Sequence, residues 1–216
     1  MLSDLGRREQ ALAGAKEAVR LYRALAGSHA DAFTPDLARS LPNLANSLSA
    51  LGRREEALKA AEEAARRRRP LAAAARPDAF TPDLATSLNN FAIRLSAVGR
   101  REEALKVAEE AVRLRRALAA AHPDVLGVDL ARSLWILGDL YGQIGKSDPA
   151  IETLAEGVRL LAPVLVTVPS AAAGMMGGLV QSYSTQCEAA GREPDDEVLG
   201  LVIAKFERLN ATEEKR

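Results

Sequence analysis

The chain has 216 residues, 29 of them Lys or Arg and 29 Asp or Glu, so its formal net charge is zero. That balance supplies no broad electrostatic attraction to nucleic acid or to an anionic membrane surface. Hydrophobic residues make up 48% and aromatics only 4%; alanine carries much of the apolar share, which suits closely packed helices better than a β-sandwich.

Cys187 is the only cysteine, which excludes an intrachain disulfide and a multi-cysteine metal site and fits a reduced, cytoplasmic setting. The N-terminus lacks a basic-then-apolar leader pattern. The most apolar stretch, AAAGMMGGLV at 171–180, is about half the length of a membrane span. A soluble protein is expected, with no membrane or nucleic-acid partner, no cofactor and no metal.

Taken in order, the sequence repeats itself. GRREQAL at 6–12 returns as GRREEAL at 52–58 and 99–105, and the glycines Gly6, Gly52, Gly99, Gly145 and Gly191 are spaced 46, 47, 46 and 46 residues apart. Residues 32–66 laid on 79–113 agree at 27 of 35 positions. Such a period marks a helical repeat array spanning 1–216. Residues 7–30 are expected to be a lone second helix (helix B), with Ala11, Ala15 and Ala18 on one stripe. Full repeats are expected over 34–76, 81–122 and 127–165, and a worn one over 169–210.

In each full repeat a first helix (helix A) follows the linker. Thr34 and Thr81 are placed to cap it, with Pro35 and Pro82 at its first position. Leu41, Leu44, Ala45 and Leu48 then form one apolar face; Leu88, Phe91, Ala92 and Leu95 repeat it. Pro42 should remove one backbone bond and kink its helix. Gly52, Gly99 and Gly145 end helix A. Helix B opens on the GRREEAL acids, which favour the positive end of the helix dipole. Ala57, Ala61 and Ala64, and their copies Ala104, Ala108 and Ala111, line its packed stripe. In the last repeat Val180, Tyr183, Ser184 and Cys187 keep helix-A spacing, and Val198, Val202, Ile203 and Phe206 suggest a final amphipathic helix.

Leu134, Leu137, Gly138, Tyr141, Gly145 and Ala150 match the L-x-x-L-G-x-x-Y, glycine, small-residue signature, and the protein resembles the tetratricopeptide repeat. SLNNFAIRLSAVGRREEAL at 87–105 looks like the longer variety of kinesin light chains and bacterial signalling proteins. The period exceeds the usual one by about a dozen residues. The resemblance implies an all-α, right-handed solenoid of about nine helices in antiparallel pairs. The Ala/Arg-rich wording suggests a bacterial gene. An array opening on helix B points to a longer natural protein or one cut within a repeat.

The remaining motifs carry little chemistry. ARRRRP at 65–70 has Glu62 and Glu63 within i,i+4 reach and reads as a solvated helix face. GQIGKSD at 142–148 lacks the first glycine of a phosphate loop, and GMMGG at 174–178 lacks the strand of a dinucleotide fold. His29 and His122 occupy equivalent linkers two repeats apart, which argues against a metal pair or a His-centred triad. Cys187 is expected to be buried and inert. No catalytic residue is identified.

The resemblance further implies ligand binding along the concave helix-A face. The candidate residues are Arg39, Asn43 and Asn46; Thr86, Asn89 and Asn90; and Arg132, Trp135 and Asp139, with Trp135 a candidate exposed recognition aromatic. Of the eight differences between the two best copies, Arg39/Thr86, Pro42/Asn89 and Asn46/Ile93 fall on this face. Asn46, Asn90 and Arg132 occupy positions resembling part of the carboxylate clamp of some family members, with Pro42 and Ile136 replacing two of its basic groups. The expected function is non-catalytic binding of an extended peptide or partner protein. Two alternatives are a homo-oligomer formed through open solenoid ends and the sensor arm of a larger signalling enzyme.

Overall fold

A computed structural model describes residues 2–73, 77–121, 123–167 and 169–203. The described protein is a succession of helices: α1 (Leu2–Ser28), α2 (Ala30–Ala50), α3 (Arg54–Ala73), α4 (Pro77–Ala97), α5 (Arg101–Ala121), α6 (Pro123–Gln143), α7 (Ser147–Thr167) and α8 (Pro169–Ala189). A further helix, α9, covers 196–203. Helices α2, α4, α6 and α8 are the A helices; α1, α3, α5, α7 and α9 are the B helices.

Each A-to-B turn is made the same way. Gly52, Gly99, Gly145 and Gly191 have φ of 74°, 83°, 76° and 66°, the left-handed region that glycine enters without a Cβ clash. The residue after each glycine donates its N–H across the helix end: Arg53 to Leu48, Arg100 to Leu95, Lys146 to Tyr141 and Arg192 to Cys187, all at 2.9 Å. This is the Schellman pattern, which satisfies carbonyls that the helix end would otherwise orphan. Gly6 does not take part, because α1 begins at Leu2 and runs straight through it.

The linkers are shorter than their sequence suggests. Helix α2 starts at Ala30, so Thr34 and Pro35 lie inside it rather than at its cap and first position. His29 is the single non-helical residue between α1 and α2, and Phe33 N–H bonds back to His29 O at 3.1 Å. Likewise α4 starts at Pro77 and contains Pro82. The HADAFTPDL segment is therefore the opening of helix A itself. Helix α2 is also assigned continuously through Pro42; the fold tolerates the lost backbone bond because neighbouring helices hold both halves of α2.

The protein divides into two compact units, Met1–Ala111 and Val112–Arg216, with the division inside α5. In the first, α1 packs on α2, α2 on α3 and α3 on α4. Leu12, Ala45, Leu48, Ala57, Ala60 and Ala61 form one buried cluster, and Val19, Leu37, Leu41 and Ala64 form another. The alanine stripe lets these helices approach closely: Ala57, Ala61 and Ala64 are at most 1% exposed. On α1 the corresponding Ala11 is exposed and Ala15 and Ala18 only half-buried. In the second unit, α7 packs against α6 and α8 around Leu154, Val158, Leu161, Leu165, Met176 and Leu179, each 0% exposed. The expected Tyr183 and Cys187 positions are buried in the same core, as are Val198 and Val202. Phe206 and His122 lie outside the described residues.

The turn glycines and a helical glycine should answer alanine with opposite signs. Gly99→Ala must hold a Cβ in the left-handed region and should lower stability by about 1–2 kcal/mol. Gly14→Ala, in open space on α1, should raise it by about 0.5–1 kcal/mol. Urea unfolding followed by far-UV circular dichroism measures both.

Candidate functional site

The candidate residues of the A helices fall into two groups, one in each unit. In the first unit, Arg39, Asn43 and Asn46 are exposed on α2. Arg39 donates to Asp36 one turn earlier, at 3.2 Å. Asn43 and Asn46 border an open groove of about 480 Å³ whose opposite wall is Gly14, Ala15 and Ala18 of α1. On α4, Thr86 is exposed and its hydroxyl donates to Pro82 O at 3.0 Å, while Asn90 is half-buried. Asn89 is only 4% exposed; it faces inward, one position round the helix from Asn90, so it is not a surface contact. Ile93, beside this row, is 40% exposed.

Arg94 was not among the expected residues, yet it ties α4 to α2. Its guanidinium donates to Ser49 Oγ at 2.7 Å and to Asn46 Oδ1 at 2.8 Å. Burial pulls its pKa below the ordinary guanidinium value, and no carboxylate opposes that shift. The sequence signal was present: Arg94 aligns with Ser47, one of the eight differences between the best two copies.

In the second unit, Arg132 is exposed on α6, whereas Trp135 and Asp139 are half-buried against α8. Trp135 Nε1 donates to Ser182 Oγ at 2.9 Å. Its ring lies where a Cβ on Gly178 would have to be, so Gly178 leaves room for the indole. Trp135 is thus half-packed between helices rather than presented free to solvent. Burial raises the pKa of the Asp139 carboxyl, and hydrogen bonds from Ser182 and Trp135 oppose that rise. Ser182 thereby joins Trp135 and Asp139 in one polar network that spacing alone does not reveal.

The arginine run turns inward more than a solvated face would. Arg67 pairs with Glu63 at 3.0 Å, Arg69 with Glu110, and Arg68 is only 7% exposed. Arg68 donates to Ser87 Oγ and, at 3.0 Å, to Asp83 O. Arg115 repeats the arrangement in the second unit, buried and bonded to Asp129 at 2.9 Å. These cations latch the end of a B helix to the start of the next A helix. In GRREEAL, Arg53 bonds Glu56 and Arg100 bonds Glu103, each through two contacts of 2.6–2.7 Å; all four residues are solvated, so the pairs add little stability. Among the described residues no group of three or more His, Cys, Asp or Glu is arranged to hold a metal ion, and no helix is long and apolar enough to cross a membrane.

Stacked helix pairs closed by glycine turns define an α-solenoid, and family comparison identifies its kind. One tetratricopeptide-repeat model matches residues 37–70 and 84–124, and a second matches 131–160. The protein carries tetratricopeptide repeats over these residues. No curated protein sequence matches it. Solved structures share its fold. A Podosopora anserina protein of nearly identical TPR-like repeats, described as a kinesin light chain, aligns at a TM-score of 0.60 and 20% identity, covering 98% of this protein and 94% of that one. BtubC (BKLC) from P. vanneervenii aligns at 0.53 and 18% identity, covering 97% and 93%. MamA aligns at 0.53 and 15% identity, covering 98% and 91%.

Asp139 generates a pH test. Its folded-state pKa lies above the unfolded one, so the stability it contributes is present below the unfolded value, about pH 3.9. That contribution is lost as pH rises through the folded value. Asp139→Asn should raise the urea midpoint at pH 7 and leave it nearly unchanged near pH 3.5. An equal offset at both pH values would refute burial as the cause.

Proposed function

We propose that this protein is a non-catalytic scaffold whose A helices bind an extended peptide or a segment of a partner protein. Tetratricopeptide-repeat proteins generally bind protein partners; the finer reading for this one rests on its own residues. The observation that carries it is the exposure of Asn43 and Asn46 beside an open groove, while Leu37, Ala38, Leu41, Ala45 and Leu48 of the same helix are buried. The scaffold residues recur between copies, and the outward ones at 39/86 and 46/93 change, as suits a partner that does not itself repeat. Asparagine amides donate to and accept from a peptide backbone, Arg132 suits a carboxylate, and Ile93 offers apolar contact. Affinity built this way comes from many modest contacts.

Panning a displayed random-peptide library against the full-length protein tests the proposal. Asn43→Ala, Asn46→Ala and Asn90→Ala together should weaken the selected peptides about 100-fold or more, with an unchanged circular dichroism spectrum. Equal binding by the triple variant rejects the helix-A face.

A second reading is self-association. Leu5, Leu21 and Leu25 of α1 are 47%, 48% and 41% exposed, and exposed apolar side chains favour association. Sedimentation velocity over a hundredfold range of concentration should show a rising average mass if α1 pairs between copies. A constant monomer mass eliminates this reading.

A further inference from the structure

The groove beside Asn43 and Asn46 has a counterpart one repeat further on. Its floor on α1, Ala11, Gly14, Ala15 and Ala18, becomes Ala57, Ala60, Ala61 and Ala64 of α3 after the 46-residue step from Gly6 to Gly52. On its α2 wall, Asn43 and Ser47 become Asn90 and Arg94 of α4 after the 47-residue step to Gly99. The counterpart is filled by helix α2. Ala57, Ala60 and Ala61 are buried with Ala45 and Leu48 of that helix, and Ala64 with its Leu37 and Leu41. From the α4 wall, Arg94 reaches Ser49 and Asn46 of the same helix. On α1 the surface is open. The four α3 alanines are at most 6% exposed, whereas Ala11 and Gly14 are exposed and Ala15 and Ala18 half-buried. A Cβ on Gly14 would meet nothing within 4 Å. Leu21 and Leu25, both exposed, continue the stripe three and seven residues beyond Ala18. The open apolar face from Ala11 to Leu25 is about 21 Å long.

We infer that the α1–α2 groove seats an amphipathic helix of a partner protein, laid there as α2 is laid on α3. This deepens the scaffold reading above and rests on it: of the segments that reading allows, this groove takes a helix. Two observations set the chemistry of that helix. A floor of glycine and alanine leaves depth for large side chains, so the partner brings leucine-type residues at i, i+4 and i+11, as Leu37, Leu41 and Leu48 do on α3. The wall of Asn43, Asn46 and Ser47 carries no charge, so the flank that meets it is neutral and hydrogen-bonding. A second copy has no such helix free to give. Leu41, Leu88, Leu134 and Leu179, one from each A helix, are all 0% exposed within their own units, and releasing any of them would uncover that core.

The probe is a fluorescein-labelled peptide with the sequence of α2, ADAFTPDLARSLPNLANSLSA, titrated with the full-length protein. Its anisotropy should rise saturably, and the unlabelled peptide should shift the Gly14 amide resonance of the ¹⁵N-labelled protein. A peptide carrying Leu41→Asp and Leu48→Asp should not bind. In the protein, Ala15→Glu with Ala18→Glu puts two carboxylates on the groove floor and should weaken binding about tenfold or more, with an unchanged circular dichroism spectrum. Ala13→Glu, at an exposed site of α1 outside the stripe, should leave binding as it was. The inference is overturned if the Gly14 amide stays unmoved, or if the Asp-substituted peptide binds equally well. Equal binding by the Ala15→Glu, Ala18→Glu protein also overturns it, since the peptide would then be replacing α2 on α3. Self-association of the protein that Ala18→Glu abolishes gives the groove to a second copy and overturns the partner helix. Library-selected peptides that depend on Asn43 and Asn90, with no binding of the α2 peptide, overturn the helix and leave the scaffold reading standing.

Discussion

The hydrogen bond that crosses each helix end, from the residue after a turn glycine to a carbonyl five residues back, underlies the rest of this structure. It occurs four times with one geometry, at Arg53, Arg100, Lys146 and Arg192. Because glycine alone adopts the required φ cheaply, the turn reverses the backbone at the same point in every repeat. Helix B is thereby returned onto helix A in a fixed register, with its alanine stripe inward. That register brings Ala57 and Ala61 onto Ala45 and Leu48, where any larger residue would hold the helices apart. It also delivers Arg68 to Ser87 and Arg115 to Asp129, one latch in each unit.

A scaffold built by repetition leaves its A helices free to differ. The outward positions carry Arg39, Asn43 and Asn46 on α2, Thr86, Asn90 and Ile93 on α4, and Arg132 on α6. None of them is required by the turn or by the stripe. The two units also differ in the polar groups that link their A helices. The first holds an unneutralised guanidinium between neutral oxygens. The second ties an indole, a serine hydroxyl and a carboxylate into one network across α6 and α8.

Most of the repeat architecture was legible from spacing. The glycine period marked the turns, the Leu and Ala positions marked the buried faces, and the helix-A spacing of Tyr183 and Cys187 marked two buried positions of α8. Helix starts were less legible. Threonine followed by proline looks like a cap, yet helix α2 is already a turn old at Thr34, because a one-residue connection at His29 leaves no room for a longer linker. Gly6 carries the turn signature without making a turn, since the signature acts only where a helix A has just ended. Among the candidate contacts, Asn89 and Asn90 are neighbours in sequence, but about 100° of helical rotation separates them and places one inside and the other at the surface.

The sequence by itself determined the helical class, the repeat period, the turns and the identity of the packed stripe, because each follows from local backbone preference and from a pattern copied several times. Only the tertiary structure decided which polar groups meet. Arg94 reaches Asn46 and Ser49 across 48 and 45 residues, and Trp135 reaches Ser182 across 47. Those pairings depend on how one A helix lies beside the next, and on which charges lose their water there without gaining an opposite charge.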